Sequence, residues 1–214
     1  IFIEERAPLF KRTDNIIDLQ PFPPAEIFSI LDDQGVEGSL EKLDIYCLFG
    51  GTIFFYRLME RYGVSSFDGC LDELIMNDLA PLRNEVRDVL IEEMGREHPT
   101  YYEILSALAM GRNTMKEIGD LTHVSVNSLY TYLRDLEEIL QLIQYRLPVM
   151  ERRGKSKKGR YFLRDNFFRF YFWFIYRNTG LFEAGRYDLI RKEIEDQWNA
   201  FRGRVFEEMA IEFL

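Results

Sequence analysis

A run of ten consecutive positions, 167–176, limits what this chain can fold into more than any other feature. It reads FFRFYFWFIY, so every position except Arg169 is aliphatic or aromatic. Such a run needs burial against other elements, which predicts a core helix that joins two parts of the chain. Aromatic side chains can also stack on nucleic-acid bases, but stacking platforms carry scattered aromatic residues, so this alternative is disfavoured.

The composition of the whole chain is typical of a packed soluble protein. Its 214 residues are 47% hydrophobic and 29% charged, enough for one large domain or two small ones. No run of about 18 apolar residues is present, so no membrane contact is expected. A secretory signal is also missing, and the two cysteines, Cys47 and Cys70, suit buried positions in a reducing compartment. We therefore predict a cytoplasmic protein.

Residues 25–96 predict a small helical subdomain. Apolar residues recur there at helical spacing in four or five short segments, with no strand between them. Glycine, proline and serine residues mark the ends of these segments. The predicted helices include 41–49, 52–62, 68–76 (capped by Ser65 or Ser66) and 81–95.

Residues 97–166 have the chain order of a winged helix-turn-helix. One amphipathic helix follows Pro99, Thr114 caps a short second helix, and Ser125 caps a third. Two β-rich runs then enclose a basic tract that contains Gly154 and Gly159. Three helices followed by a hairpin with a basic tip are typical of this DNA-binding unit.

Positive charge is concentrated at that predicted hairpin. From Arg146 to Arg164 eight basic residues and one acidic residue give a local charge of +7, whereas the whole chain carries −9, which leaves −16 for the remainder. An acidic body repels nucleic acid everywhere except at such a tract. A solvated loop that only improves solubility is the alternative interpretation.

The third predicted helix has a polar face that would lie beside this basic tract in a winged helix. Its leucines at 129, 133 and 136 face the core, which turns the polar residues at 127, 130, 131 and 134 outward. Asparagine, threonine and arginine can read base edges, and tyrosine can reach phosphate. Asp135, Glu137 and Glu138 would restrict DNA docking to the first turns of this helix or indicate a protein partner. A polar face that only solvates the helix is the other alternative. The predicted residues for duplex DNA are Ser125, Asn127, Tyr130, Thr131 and Arg134 on the helix, and Arg152, Arg153, Lys155, Lys157 and Lys158 on the wing.

The chain carries no complete active site. A phosphate loop of the form GxxxxGK[ST] is absent, and neither His98 nor His123 lies within four residues of the other or of a cysteine, so no metal site is expected. A nucleophilic pair of one cysteine and one histidine stays open. We expect this chain alone neither to hydrolyse ATP nor to hold a cofactor.

Five short motifs occur in a recognisable order along the chain. They are PLFKR at 8–12, IDLQPF at 17–22, GG at 50–51, GRYFLRDNF at 159–167 and GRVFEE at 203–208. Together they resemble the C-terminal part of the archaeal ATPase family within the AAA+/STAND class of P-loop NTPases. The resemblance covers essentially the whole chain. It implies a mostly α fold in which a helical AAA+ lid precedes a winged helix-turn-helix with a small β-hairpin wing.

The resemblance also implies that a nucleotide-binding core, which holds ATP and Mg²⁺, precedes this chain in a longer parent protein. Residues 1–24 would be the residual edge of that core, with Arg12 as an arginine-finger-type residue. Residues 25–96 would be the lid, 97–166 the winged helix and 167–197 a connecting aromatic helix and linker. Residues 198–214 would start a truncated C-terminal domain resembling restriction endonucleases, with Glu207 or Glu208 as its first acidic residue.

The resemblance places Gly50, Gly51 and Ile53 next to the nucleotide, although the family usually has proline where this chain has Ile53. The implied function couples ATP binding in the core to binding of double-stranded DNA. The implied partners are DNA, the chain's own ATPase core and, in one arrangement, further copies of the same protein. A protein-interaction module of the same ATPase, with no DNA contact, is the alternative.

Overall fold

The computed structural model describes residues 20–94, 98–147 and 159–212. Within these ranges the protein is mostly helical, with one two-stranded antiparallel sheet. The predicted fold class is confirmed: helices dominate the described residues. The two paired strands follow three helices that lie between Pro99 and Arg134. No helix of the described ranges combines the length and the apolar character that crossing a bilayer requires.

The N-terminal half of the described chain consists of short helices. They are α1 (Pro24–Asp33), α2 (Ser39–Phe49), α3 (Ile53–Tyr62), α4 (Phe67–Gly69, continued by π-helical turns over Cys70–Ile75) and α5 (Glu85–Met94). Ser66 caps α4, because its Oγ accepts a hydrogen bond from the Gly69 N–H at 3.1 Å.

One helix of this half begins later than the sequence predicts. The pattern indicates a helix from Pro81, but α5 begins at Glu85. Leu82 N–H donates to the Leu74 carbonyl at 2.9 Å, and residues 81–84 form turns and bends after this bond to the end of the preceding helix. A backbone hydrogen bond to an earlier helix therefore outweighs the local helical pattern.

The second half begins with the predicted order of helices and strands. It comprises α6 (Pro99–Ala109), α7 (Met115–Thr122), α8 (Val126–Arg134, continued by π-helical turns over Asp135–Ile139), β1 (Ile143–Arg146) and β2 (Arg160–Leu163). The strands pair from Ile143 opposite Leu163 to Arg146 opposite Arg160. Tyr161 N–H also donates to the Asn113 carbonyl at 2.8 Å, which ties the link between α6 and α7 to β2.

The aromatic run is confirmed as a core helix. It forms α9 (Asn166–Phe170), π-helical turns over Tyr171–Ile175 and a 3₁₀ turn over Tyr176–Asn178. α10 (Thr179–Glu183) follows directly, and one short connection leads from it to α11 (Tyr187–Glu212). Its phenylalanines at 167, 170, 172 and 174 are at most 1% exposed. Because it packs on α2, α6 and α11 at once, this segment holds the two halves together.

Aromatic contacts show how the halves meet on this helix. Phe167 lies 5.9 Å from Phe49 of α2, and Phe172 lies 5.7 Å from Tyr102 of α6, measured between ring centroids. On a third side Phe170 lies 6.3 Å from Phe201 of α11. Aromatic pairs at these separations stabilise beyond their buried area.

The predicted boundary at residue 198 lies inside the continuous helix α11. Trp198 and Phe201 are 7% and 0% exposed and belong to the same core as the aromatic helix. Trp198 Nε1–H donates to Asp44 of α2 at 2.7 Å, and Arg202 forms an ion pair with the same carboxylate at 3.0 Å. The first turns of the predicted segment 198–214 thus contact α2 through Trp198 and Arg202.

Both cysteines are fully buried, as their apolar neighbours predict. Burial raises the pKa of the Cys47 thiol to about 12, and it raises the pKa of Cys70 even further above its usual range. A thiol must lose its proton to act as a nucleophile. The burial of both therefore argues against a catalytic pair of cysteine and histidine.

Replacing Thr114 with alanine is expected to lower the free energy of unfolding by about 1 kcal/mol at neutral pH, because α7 loses its N-cap. Glu117 N–H donates to Thr114 Oγ1 at 3.2 Å, and Thr114 N–H donates to Glu117 Oε2 at 3.0 Å. Hydrogen bonds from Thr114 lower the pKa of Glu117. Their contribution is therefore present above the ordinary glutamate pKa and is lost as pH falls through the lowered value.

Urea unfolding of both proteins at neutral and at strongly acidic pH measures this difference. We expect the gap between wild type and Thr114→Ala to narrow in acid. A gap of the same size at both pH values would contradict the role assigned to the Glu117 carboxylate.

Candidate nucleic-acid interface

The outward face of α8 is open to solvent. Asn127, Thr131 and Arg134 are exposed, and Tyr130 is 57% exposed. On the opposite face the leucines at 129, 133 and 136 have no exposed surface. The leucine spacing thus predicted correctly which side of this helix faces the core.

Local hydrogen bonds explain why α8 begins where it does. His123 has a left-handed backbone (φ 55°), which ends α7 and reverses the chain. Ser125 Oγ then accepts a hydrogen bond from the Ser128 N–H at 3.4 Å, as an N-cap does. Ser125 is exposed, so the same hydroxyl sits at the edge of the outward face. Thr131 Oγ1 donates to the Asn127 carbonyl one turn earlier, at 3.5 Å.

Two of the three acidic residues after α8 are held by neighbouring elements. Tyr101 OH donates to Asp135 Oδ2 at 3.2 Å, and burial together with this carboxylate raises the pKa of Tyr101 to about 12. Glu137 Oε1 accepts a hydrogen bond from the Tyr145 N–H of β1 at 3.3 Å. Glu138 is exposed. The sequence suggested that all three oppose a polyanion, but two of them also fasten α8 to its surroundings.

Arg134 has a weak local partner. Its Nη2 lies 3.4 Å from Asp135 Oδ1, and half of its side chain is exposed. An exposed pair at this distance contributes little to stability and is screened by salt. The guanidinium can therefore turn to another acceptor at small cost.

The predicted wing lies largely outside the described residues. Arg152, Arg153, Lys155, Lys157 and Lys158 fall between the two strands, and their contribution to a duplex contact stays a prediction. The strands themselves end in positive charge, since Arg146 pairs opposite Arg160 at the last register position. Arg146 also packs over the Phe162 ring, 5.1 Å from its centroid. These two arginines flank the tract.

The Gly50–Gly51 turn is a close backbone contact. Gly50 has φ 65°, and its carbonyl accepts a hydrogen bond from Tyr56 OH at 2.6 Å. The Gly51 carbonyl accepts from the Phe22 N–H at 2.9 Å, and a Cβ at Gly51 would lie 2.2 Å from the Phe22 carbonyl oxygen. Glycine at 51 is therefore required by packing alone.

A nucleotide contact by Gly50, Gly51 and Ile53 stays a prediction. Ile53 opens α3 and is half-buried. Arg12, predicted as an arginine-finger-type residue, lies outside the described residues.

Asp165 connects this turn to the aromatic helix, a role that sequence reasoning missed. Its Oδ1 caps α9 by accepting from the Phe168 N–H at 2.8 Å, and its Oδ2 accepts from Thr52 Oγ1 at 3.5 Å. Burial raises the pKa of this carboxyl group. The neighbouring Asn166 donates through Nδ2 to the Tyr46 carbonyl of α2 at 3.1 Å. The sequence signal for the capping role was an aspartate directly before the aromatic helix, since aspartate is a preferred N-cap residue.

Comparisons with known proteins give a family match and one relative. Residues 171–214 match the family DUF234, described as archaea bacterial proteins of unknown function. An uncharacterized protein of the archaeon Methanocaldococcus jannaschii is 33% identical over 210 residues, which cover 98% of this chain. The chain spans 45% of that relative's length. No solved structure matches the chain.

The acidic residues of the described ranges do not converge as metal ligands would. No group of three or more histidine, cysteine, aspartate or glutamate residues that could hold a metal ion occurs in those ranges. Glu208 instead forms an ion pair with Arg169 of the aromatic helix, at 2.6 Å.

Proposed function

We propose that this chain is the lid and winged-helix portion of an archaeal-type AAA+/STAND ATPase. In this proposal it couples ATP and Mg²⁺ binding in a separate nucleotide-binding core to the binding of double-stranded DNA. The ordered motifs support the assignment, and so does the archaeal relative, whose greater length leaves room for such a core. The cytoplasm is the compartment in which this function would be carried out.

The observation that carries the DNA-binding proposal is the open face of α8. A helix in the major groove needs one uncovered side with donors and acceptors in its first turns. Asn127, Tyr130 and Thr131 occupy that position and are exposed. The basic tract between β1 and β2 adds the phosphate-binding charge that an acidic chain otherwise lacks.

The proposed coupling runs through the aromatic helix. This helix packs on α2 in the N-terminal half and on α6 directly before the candidate DNA-binding helices. Asp165 and Asn166 add polar contacts from its first turn to Thr52 and to the Tyr46 carbonyl. A rotation of the N-terminal helices over a nucleotide would therefore reach α6 and, through α7, also α8, because α6 packs on α7 and α7 packs on α8.

Replacing Asn127 and Arg134 together with alanine is expected to weaken binding of a short DNA duplex about tenfold or more. Each base-edge contact of these residue types contributes about 1–3 kcal/mol. Both side chains are exposed, so the free energy of unfolding should change by less than about 0.5 kcal/mol each. Fluorescence anisotropy with a labelled duplex measures the affinity.

The matched control replaces Arg57 and Arg61 of α3 with alanine. Both are exposed, and this variant removes one more positive charge than the test variant does. If the control weakens binding as much as the test variant, the effect comes from net charge and α8 is not the reading helix.

A protein-interaction module is the second candidate, because apolar side chains are exposed around the same helix. Val126 is 69% exposed, Tyr130 57% and Leu121 47%. Leu121 belongs to the apolar pattern of α7 but does not reach the core. Clustered exposed apolar residues are typical of protein interfaces. This alternative requires that the wild-type chain fails to bind duplex DNA even at low salt.

A further inference from the structure

A cavity lined by several arginine side chains lies beside β2. It has a volume of about 330 Å³ and opens between the end of α6, strand β2 and the last turns of α11. Three arginines from three different elements reach it, together with one amide and two carboxylates. The polar residues that line it are Asn113, Arg160, Arg169, Arg204, Glu207 and Glu208.

Arg169 is the most unusual member of this group. Only 4% of its surface is exposed, less than for any other charged residue whose exposure the structure describes. Its Nη2 donates to the Leu163 carbonyl at 3.1 Å and to Glu208 Oε2 at 2.6 Å. Its Nη1 is buried without a hydrogen-bond partner among the described residues. An unpaired buried guanidinium nitrogen is costly, so an acceptor from outside would stabilise it.

Arg204 is held in place over the same cavity. Its guanidinium lies 5.1 Å from the centroid of the Trp173 ring, within cation–π range. It also crosses directly above Gly111, where a Cβ would come within 1.4 Å of Nη1. Gly111 has φ 79°, a conformation that glycine adopts without strain. The backbone thus leaves room for this arginine, which reduces the entropy that a ligand must remove.

Asn113 adds an acceptor to these donors. Its Oδ1 is buried and has no hydrogen-bond partner in the described ranges. Arg169 and Asn113 both line the cavity, and each carries one buried polar atom, a guanidinium donor or an amide acceptor, without a hydrogen-bond partner among the described residues. A ligand that satisfies both needs acceptor oxygens and also a hydroxyl group.

We propose that this cavity binds inorganic phosphate. At neutral pH the phosphate ion carries negative oxygens for Arg160, Arg169 and Arg204 and still keeps a hydroxyl group that can donate a hydrogen bond to Asn113 Oδ1. Sulfate lacks that hydroxyl group, and so do most phosphate monoesters and all phosphodiesters under the same conditions. Charge permits the assignment, since three arginines exceed the two carboxylates of Glu207 and Glu208.

The ion pair of Arg169 with Glu208 determines which guanidinium nitrogen of Arg169 remains free. Glu208 occupies Nη2, which leaves Nη1 for the ligand. Glu207 is exposed and can turn away into solvent when an anion enters. The site is therefore anion-selective without being strongly charged.

Isothermal titration of the chain with sodium phosphate at constant ionic strength tests the proposal. We expect saturable binding at one site, weakened about tenfold or more in Arg160→Gln and in Arg204→Gln, because each variant loses a charge-assisted hydrogen bond. Both side chains are exposed, so these variants should fold, whereas Arg169 is left intact because breaking a buried ion pair destabilises the protein. Arg61→Gln, which removes the same charge outside the cavity, should bind phosphate as the wild type does.

Sulfate and AMP titrations separate the ligand classes. Sulfate and AMP should bind the wild type more weakly than phosphate, and Asn113→Ala should lose the preference for phosphate over sulfate. The proposal is overturned if no saturable phosphate binding occurs, if the two arginine variants bind like Arg61→Gln, or if sulfate binds the wild type as well as phosphate.

Discussion

Changing Lys155, Lys157 and Lys158 together to glutamate is expected to reduce duplex affinity at least about a hundredfold. Each lysine that neutralises a phosphate contributes a charge-assisted contact and releases counterions, and glutamate replaces that attraction with repulsion. The remainder of the chain is strongly acidic, so no other segment can replace the lost charge. Fluorescence anisotropy at a moderate salt concentration of about 0.1 M measures the loss.

A control with an identical change in net charge makes this result specific. Arg57, Arg61 and Lys192 are exposed in the described structure, and changing them to glutamate alters the charge by the same amount. We expect this control to bind the duplex within about threefold of the wild type, because long-range charge effects are screened at moderate salt. Equal losses in both variants would mean that the basic tract is not a contact.

The second large effect concerns the core. Phe170→Ala is expected to lower the free energy of unfolding by about 3–5 kcal/mol, the usual cost of deleting a buried phenylalanine side chain. Phe170 has no exposed surface and lies between the other aromatic residues, 5.3 Å from Phe174 and 6.4 Å from Trp198. Because the aromatic helix holds both halves of the molecule, both should unfold in one transition.

Urea unfolding followed by circular dichroism measures this cost. Phe206→Ala in α11 is the matched control, since Phe206 is 53% exposed and its loss should cost less than about 1 kcal/mol. If Phe170→Ala costs no more than this control, the aromatic run is not the core element described here.

Local patterns were sufficient to predict the elements around the candidate DNA-binding surface. Thr114 and Ser125 are N-caps because a hydroxyl there accepts a backbone hydrogen bond within three residues. The leucine spacing of α8 fixed its buried side, since a helix repeats every 3.6 residues. The aromatic run demanded burial whatever its neighbours were. Each of these inferences depends on residues close together in sequence.

Contacts between distant segments could not be predicted. The ion pair of Arg169 with Glu208 joins residues 39 positions apart. Asp165 and Thr52 are separated by 113 positions. No periodicity or spacing records such pairs, because they arise only when the helices pack. The cavity beside β2 was missed for the same reason.

The salt dependence of duplex binding tests the central claim most directly. That claim is that α8 and the basic tract form one DNA-binding surface. If three or four basic residues contact phosphates, a plot of log affinity against log salt concentration should fall with a slope of about −3 to −4. Failure to bind a duplex at the lowest salt, or a slope near zero, would contradict the claim and leave the exposed face of α8 for a protein partner.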